Sequence, residues 1–346
     1  MDHYRNNDNP AFRPEPRAPQ LHMSERTTPT NMPSDSSDPT KRPRAPQLYI
    51  DTIATIITAT TPTERFMQTM VNARLGDRDS QVAVGDMYTV GQGVGMDLVA
   101  AMDWYLKAAD QGDANAQYNI GYFYDCGCGI DQDYVKALEW YLKAASQGLT
   151  HAQYNIGCLH QHGQGVAQDY STALIWFFKA AMKDNIAAQS SIGDLYFDGQ
   201  GVIQDYYQAM DWYLKAAIQG NASSQYNVGW LYQHGKGVTQ NYSQAMDWYI
   251  KAADQGFALA QNNIGILYRW GRGVHEDHYE AMKWHRRAAD KGCDSSQYNI
   301  GWSYENGKGV LRDTHEAAKW YKLAARQGNL EAIEALDKMQ SSYDEA

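Results

Sequence analysis

The chain has 346 residues, 43% of them hydrophobic, with 30 Lys/Arg against 40 Asp/Glu and a net charge of −10. An acidic surface repels phosphate backbones, which argues against nucleic acid as a ligand and in favour of protein or peptide partners, basic ones in particular. No apolar run reaches the roughly 18–20 residues of a membrane helix, and four irregularly spaced cysteines make no disulfide framework, so a reducing, cytoplasmic setting without membrane insertion is expected.

All ten prolines lie between Pro10 and Pro62, and all 29 glycines lie from Gly76 onward. Residues 1–62 carry seven basic and seven acidic side chains, so the whole charge sits on the remainder. This Pro-rich arm has too little apolar surface to offset the entropy of ordering, and disorder is expected. Arg17-Ala18-Pro19-Gln20-Leu21 recurs as Arg44-Ala45-Pro46-Gln47-Leu48. The duplication reads as a docking peptide, as a nuclear-import signal through Lys41–Arg44, or as drifted low-complexity sequence. Residues 63–76 read as a capping helix, with Pro62 suited to a first turn and Gly76 to the position beyond the last.

From residue 77 to 328 one pattern repeats seven times. Gly85, Gly121, Gly157, Gly193, Gly229, Gly265 and Gly301 stand 36 residues apart. Nineteen residues after each comes a tryptophan: Trp104, Trp140, Trp176, Trp212, Trp248, Trp284 and Trp320. Such a period marks stacked supersecondary units, each burying its face on its neighbours. Within one unit the apolar spacing predicts helix A over about 114–126 and helix B over about 133–146. Gly127 and Gly129 stop helix A, and Asp133 caps helix B. Capping boxes are expected at Asp205/Gln208, Asp277/Glu280 and Asp313/Glu316. A glycine inside helix A costs about 1 kcal/mol against alanine, and its sevenfold recurrence implies a close helix–helix approach. Residues 329–346 read as a C-terminal capping helix and tail.

The consensus A-x-Q-Y-N-I-G-x-x-Y-x-x-G-x-G-V-x-x-D-Y-x-x-A-x-x-W-Y-x-K-A-A-x-Q-G resembles the Sel1-like repeat, a relative of the tetratricopeptide repeat. The resemblance implies an all-α, right-handed superhelical solenoid of about seven helix pairs with a half-repeat cap at each end. It also implies a non-enzymatic scaffold or adaptor that binds peptides or proteins on a concave face lined by the A helices. Relatives in endoplasmic-reticulum degradation complexes and among chitin-synthase activators supply a second reading, a regulatory subunit of a membrane or cell-wall complex. The signal, anchor and lipidated tail of those groups are not seen in this chain.

Candidate contact residues are those on helix A that the core does not claim. Counted from the register glycine at 100° per residue, offsets −2, +1 and +5 form the free arc. Offset −2 holds Asn119, Asn155, Asn227, Asn263 and Asn299, each able to donate to and accept from an extended peptide backbone. Seven of ten tryptophans occupy the helix B register, and the other three, Trp230, Trp270 and Trp302, all fall on this arc with Tyr122 and His234. They read either as a peptide groove with aromatic anchors or as packing between repeats, with the asparagines tying repeat to repeat. A third class of function is a metal or hydrolytic site built from Cys126, Cys128, Cys158 and His162, whose mixed donors suit zinc. No nucleophile elbow, P-loop or dinucleotide fingerprint is present, so neither catalysis nor a cofactor is expected.

Overall fold

The computed structural model describes residues 61–344, with side chains to residue 340. The proline-rich arm, its duplicated motif and Lys41–Arg44 lie outside the described residues. Among the described residues every regular element is an α-helix, sixteen in all. They fall into two units that divide after Gln147.

The first unit holds α1 (Pro62–Arg74), α2 (Arg78–Val90), α3 (Leu98–Asp110), α4 (Ala114–Cys126) and α5 (Tyr134–Ser146). The second begins with α6 (Thr150–His162), α7 (Tyr170–Ala181), α8 (Ile186–Asp198), α9 (Tyr206–Ile218) and α10 (Ala222–His234). It continues through α11 (Tyr242–Asp254), α12 (Ala258–Trp270), α13 (His278–Ala289), α14 (Asp294–Asn306), α15 (Thr314–Arg326) and α16 (Leu330–Asp344). The even-numbered helices are A helices and the odd-numbered ones B helices. Each A helix from α2 to α14 packs on the B helix that follows it.

The ends of these helices follow from single residues. Every A helix from α2 to α14 stops at a glycine in the left-handed region, such as Gly127 at φ 69° and Gly235 at φ 62°, a conformation cheap only without a Cβ. Each B helix from α3 to α15 starts at Asp or Asn, whose side-chain oxygen takes a backbone N–H of the first turn. The capping boxes expected on Asp277 and Asp313 form only their aspartate half. Glu280 and Glu316 turn instead to Lys283 and Lys319. A complete reciprocal box closes the start of α1, between Thr61 and Glu64.

The register glycine has a specific partner. In each repeat a fully buried aromatic ring from the B helix rests against its backbone: Tyr105, Tyr141, Phe177, Tyr213, Tyr249, His285 and Tyr321 in chain order. A Cβ built on the glycine would stand 2.5–2.7 Å from that ring, inside van der Waals contact. The tryptophan of the consensus is the residue just before this ring and is only half-buried. Lys107, Lys143, Lys179, Lys215 and Lys251 each lie 3.7–3.9 Å over the tryptophan three residues earlier, a cation–π contact that also covers the indole with a lysine stem.

A second ladder is built from glutamine. The buried glutamine four residues before the register glycine accepts from the glutamine at the end of its own B helix, as in Gln111–Gln81, Gln147–Gln117 and Gln255–Gln225, at 2.8–2.9 Å. Gln81, Gln225 and Gln261 donate in turn to the last carbonyls of the preceding B helix, Ala73, Ala217 and Ala253. Repeats are therefore tied by side chain to backbone bonds that a slip in register would break.

Two outcomes test this account. Gly229→Ala is expected to lose about 1–3 kcal/mol in urea denaturation, because overpacking against Tyr249 outweighs the helix propensity gained. Asp184 stands at φ 59° where the other repeats place glycine. Asp184→Gly is expected to gain about 0.5–1 kcal/mol, read as a higher urea midpoint with an unchanged slope.

Candidate functional site

The A-helix faces are built around the hydroxyls of the register tyrosines. Tyr105 donates to Asp86 at 2.7 Å, Tyr141 to Asp125 at 2.9 Å, Tyr213 to Asp194 at 2.7 Å, Tyr249 to Gln233 at 2.9 Å and Tyr321 to Glu305 at 2.6 Å. In each of these five repeats the acceptor lies one or four residues after the glycine, so the buried ring ends in a hydrogen bond to an A-helix side chain. Burial and the neighbouring carboxylates push Tyr105, Tyr213 and Tyr321 well above the usual phenol range, so these hydroxyls act as donors throughout the ordinary pH range.

Asparagines of offset −2 meet these hydroxyls or their acceptors. Asn263 donates to the Tyr249 hydroxyl at 3.1 Å, and Asn119 donates at 3.5 Å to Asp86, the acceptor of the Tyr105 hydroxyl. Asn119 and Asn155 are buried, and Asn227 and Asn263 half-buried. Asn299 differs. Its Oδ1 accepts from Arg269 at 2.9 Å and its Nδ2 donates to Asn262 at 3.3 Å.

The three off-register tryptophans lie in the second unit and are placed differently. Trp230 is 9% exposed, edge-on to Phe197 at 5.1 Å and stacked with His234 at 4.1 Å. Trp270 is 50% exposed, and Trp302 half-buried. The Arg269 guanidinium lies 3.4 Å over the Trp302 ring and 5.1 Å from that of Trp270, so these two indoles share one cation. Tyr122, in the first unit, is half-buried beside Asp125, and burial pushes its hydroxyl up.

Charge on these faces changes along the second unit. On α8, burial raises Asp194 to about 6 despite its bond from Tyr213, and Asp198 is also raised by burial. On α12 the cation Arg269 is 7% exposed. In the same repeat His285 replaces the register tyrosine, 1% exposed, with neither ring nitrogen hydrogen-bonded. Burial first, then Arg269, holds its pKa down at about 3, so the imidazole is neutral. Arg269 and His285 were not singled out from the sequence. Two signals marked them: Arg269 is the only Lys or Arg in the five A helices α6–α14, and His285 breaks a run of tyrosine and phenylalanine.

The metal reading is corrected. Cys126 and Cys128 are joined to each other as a disulfide, which their spacing did not lead one to expect and which consumes both thiols. Cys158 is buried, and the Nδ1 of His162 lies 2.8 Å from the Cys158 carbonyl oxygen. Among the described residues no group of three or more His, Cys, Asp or Glu is arranged to hold a metal ion.

Helix pairs of fixed length, a ring seated on glycine in each, and side-chain ladders between them define a helical-repeat solenoid. The family model of the Sel1 repeat matches seven consecutive segments: 78–113, 114–149, 150–185, 186–221, 222–257, 258–293 and 294–329. The chain belongs to the Sel1 repeat family. Among solved structures it is similar to c5321, a protective antigen of uropathogenic Escherichia coli strains displaying an SLR fold, at 36% identity and a TM-score of 0.74. That match covers 78% of this chain and 58% of c5321, so the chain spans little more than half of that relative. A Sel1 repeat protein from Oxalobacter formigenes is 33% identical with a TM-score of 0.65, over 80% of each chain. No curated protein matches the chain.

The buried carboxyl on α8 gives a test of this electrostatic picture. Asp194 ionises near 3.8 when unfolded and near 6 when folded. Between those values the folded chain holds a proton that the unfolded chain has released, so the group's contribution to stability falls as pH rises. Asp194→Asn keeps the acceptor for Tyr213 and removes the charge. It is expected to be more stable than the parent at pH 7, with the difference gone below about pH 4 in urea midpoints.

Proposed function

We propose that the protein is a non-enzymatic scaffold that binds an extended peptide segment of a partner protein along its A-helix faces. The repeats of the second unit, from α6 to α15, do the binding, ahead of the C-terminal helix α16. The observation that carries this reading is Trp270. An indole half in solvent, on a face that other repeats fill with Val, Cys, His, Asp or Asn at the same offset, is an expense that packing does not repay. Trp230 and Trp302 stand one repeat to either side at offset +1, and aromatic side chains of this kind dominate binding energy at protein interfaces. The tyrosine hydroxyls and amide side chains around them supply the polar contacts that orient a backbone. Asp194 and Asp198 on α8 stand at offsets +1 and +5 in the same unit, and with the net charge of −10 they favour a partner basic over most of its length. The protein requires no metal or cofactor for this role. Among the described residues no helix is long and apolar enough to cross a membrane.

The full-length protein incubated with a peptide array, beside a Trp230→Ala/Trp270→Ala/Trp302→Ala variant, tests the reading. The triple variant is expected to keep its helical circular dichroism and to lose at least tenfold in affinity for the peptides selected by the parent. Equal binding by the folded variant would refute a groove centred on these indoles.

A further inference from the structure

The capping helix α1 is seated as the B helix of a repeat. A Cβ on Gly93 would meet the carbonyl of Pro62, as one on Gly237 would meet that of Tyr206 at the start of α9. Phe66, Met70 and Ala73 are buried against Val84 and Met87 of α2. The outer face of α1 departs from its sisters. Met67, Val71 and Leu75 stand 36 residues before Asp103, Lys107 and Gln111 of α3. In α5, α9 and α11 the same positions again hold an acid, a lysine and a glutamine, all exposed. In α1 they are apolar and just as open, at 59%, 52% and 82% exposure. A single exposed apolar residue is ordinary, but three in line make a stripe that solvent disfavours.

The chain leading into α1 holds one segment that matches this stripe. Residues 1–47 contain neither isoleucine nor valine, whereas Leu48–Ala59 carries Tyr49, Ile50, Ile53, Ile56 and Ile57. Wound at 100° per residue, these five fall within an arc of about 120°, and Asp51, Thr52, Thr55 and Thr58 take the rest of the circumference. So short a stretch, rich in β-branched side chains, does not hold a helix by itself, and an apolar face beside it supplies what is missing. The connection fits as well. Thr61 enters α1 with φ −59° and ψ 156°, outside the helical region, and its capping box fixes where the helix starts. Antiparallel helices need only roughly two to five residues between them, and Thr60-Thr61 stands at that place. Tyr49, Ile53 and Ile57 step four residues apart, the interval of Leu75, Val71 and Met67 taken in the opposite direction. A segment tethered this close needs far less buried area than a separate chain, for which about 1,000 Å² is required.

We propose that the exposed stripe of α1 is the docking site of residues 48–59 of the same chain, which lie on it as an antiparallel helix with Ile57 on Met67, Ile53 on Val71 and Tyr49 on Leu75. This contact is independent of the A-helix groove. It carries residue 48 to the Gly76 end of α1. The second copy of the duplicated motif, Arg44–Leu48, is thereby presented beside the first repeat and does not trail from Thr61.

Two measurements on the full-length protein test the contact. The first is hydrogen exchange read by mass spectrometry. The amides of residues 49–59 are expected to exchange about tenfold or more slower than in a synthetic peptide of residues 44–60. Val71→Glu/Leu75→Glu is expected to remove that protection while α2 to α5 keep theirs. Exchange at the free-peptide rate in the parent overturns the proposal, and so does protection that the double variant retains. The second measurement compares disulfide formation under mild oxidation in Ile53→Cys/Val71→Cys and in Ile53→Cys/Asn72→Cys, whose second cysteine lies off the stripe. The Val71 pair is expected to close within one chain about tenfold faster. Equal rates mean that the segment is merely near α1 and overturn the docking. A bond formed only between chains assigns the stripe to a second copy and overturns it too.

Discussion

Seven times along the chain an aromatic ring lies on a glycine backbone, and the rest of the structure depends on that contact. Removing the Cβ from helix A lets the following B helix come close enough for its ring to sit on the peptide plane. The helix loses propensity at the glycine and gains a fully buried seat for a large aromatic side chain. The paired alanines at the end of helix B belong to the same solution. Ala108 and Ala109, or Ala252 and Ala253, are buried where the next A helix crosses.

This seat also shapes the surface. A tyrosine long enough to fill it ends in a hydroxyl that emerges between A-helix side chains, and a buried hydroxyl must be paired. The five repeats with a tyrosine therefore carry an acceptor at offset +1 or +4, drawn from Asp, Gln and Glu. The constraint is structural in origin, yet it leaves a row of differing polar groups beside the off-register tryptophans. Variation confined to positions that the packing leaves open is how a repeat array acquires selectivity without altering its frame. Repeat six shows how far it can go: a histidine fills the seat, an arginine takes the acceptor's place, and the frame is unchanged, with α12 and α13 still packed as a pair.

Much of the helical framework was legible from the chain alone. The glycine and tryptophan periods gave the repeat length, helix A at 114–126 is as read, and helix B starts one residue later than read, at Tyr134. The cap residues Asp133, Gly127 and Pro62 act as their types dictate. The chemistry of the faces was less legible. Helical spacing places Trp230, Trp270 and Trp302 on one arc, but it does not tell a 9% exposed indole from one 50% exposed. The asparagines were expected to serve either a peptide or the neighbouring repeat. Asn263 bonds a tyrosine hydroxyl of the repeat before and Asn119 that hydroxyl's acceptor, Asp86, whereas Asn299 holds Arg269.

What the amino-acid order determined by itself is everything that depends on local spacing: helices, their caps, their period and their family. These follow from backbone conformation and from interactions between residues a few positions apart. What tertiary structure decided depends on residues about 16 to 37 positions apart meeting in space. The ring on the glycine, the Gln111–Gln81 ladder and the bond between Arg269 and Asn299 are all of that kind. Burial is a property of the packed stack, so only the stack distinguishes a tryptophan that closes a repeat from one left half in solvent.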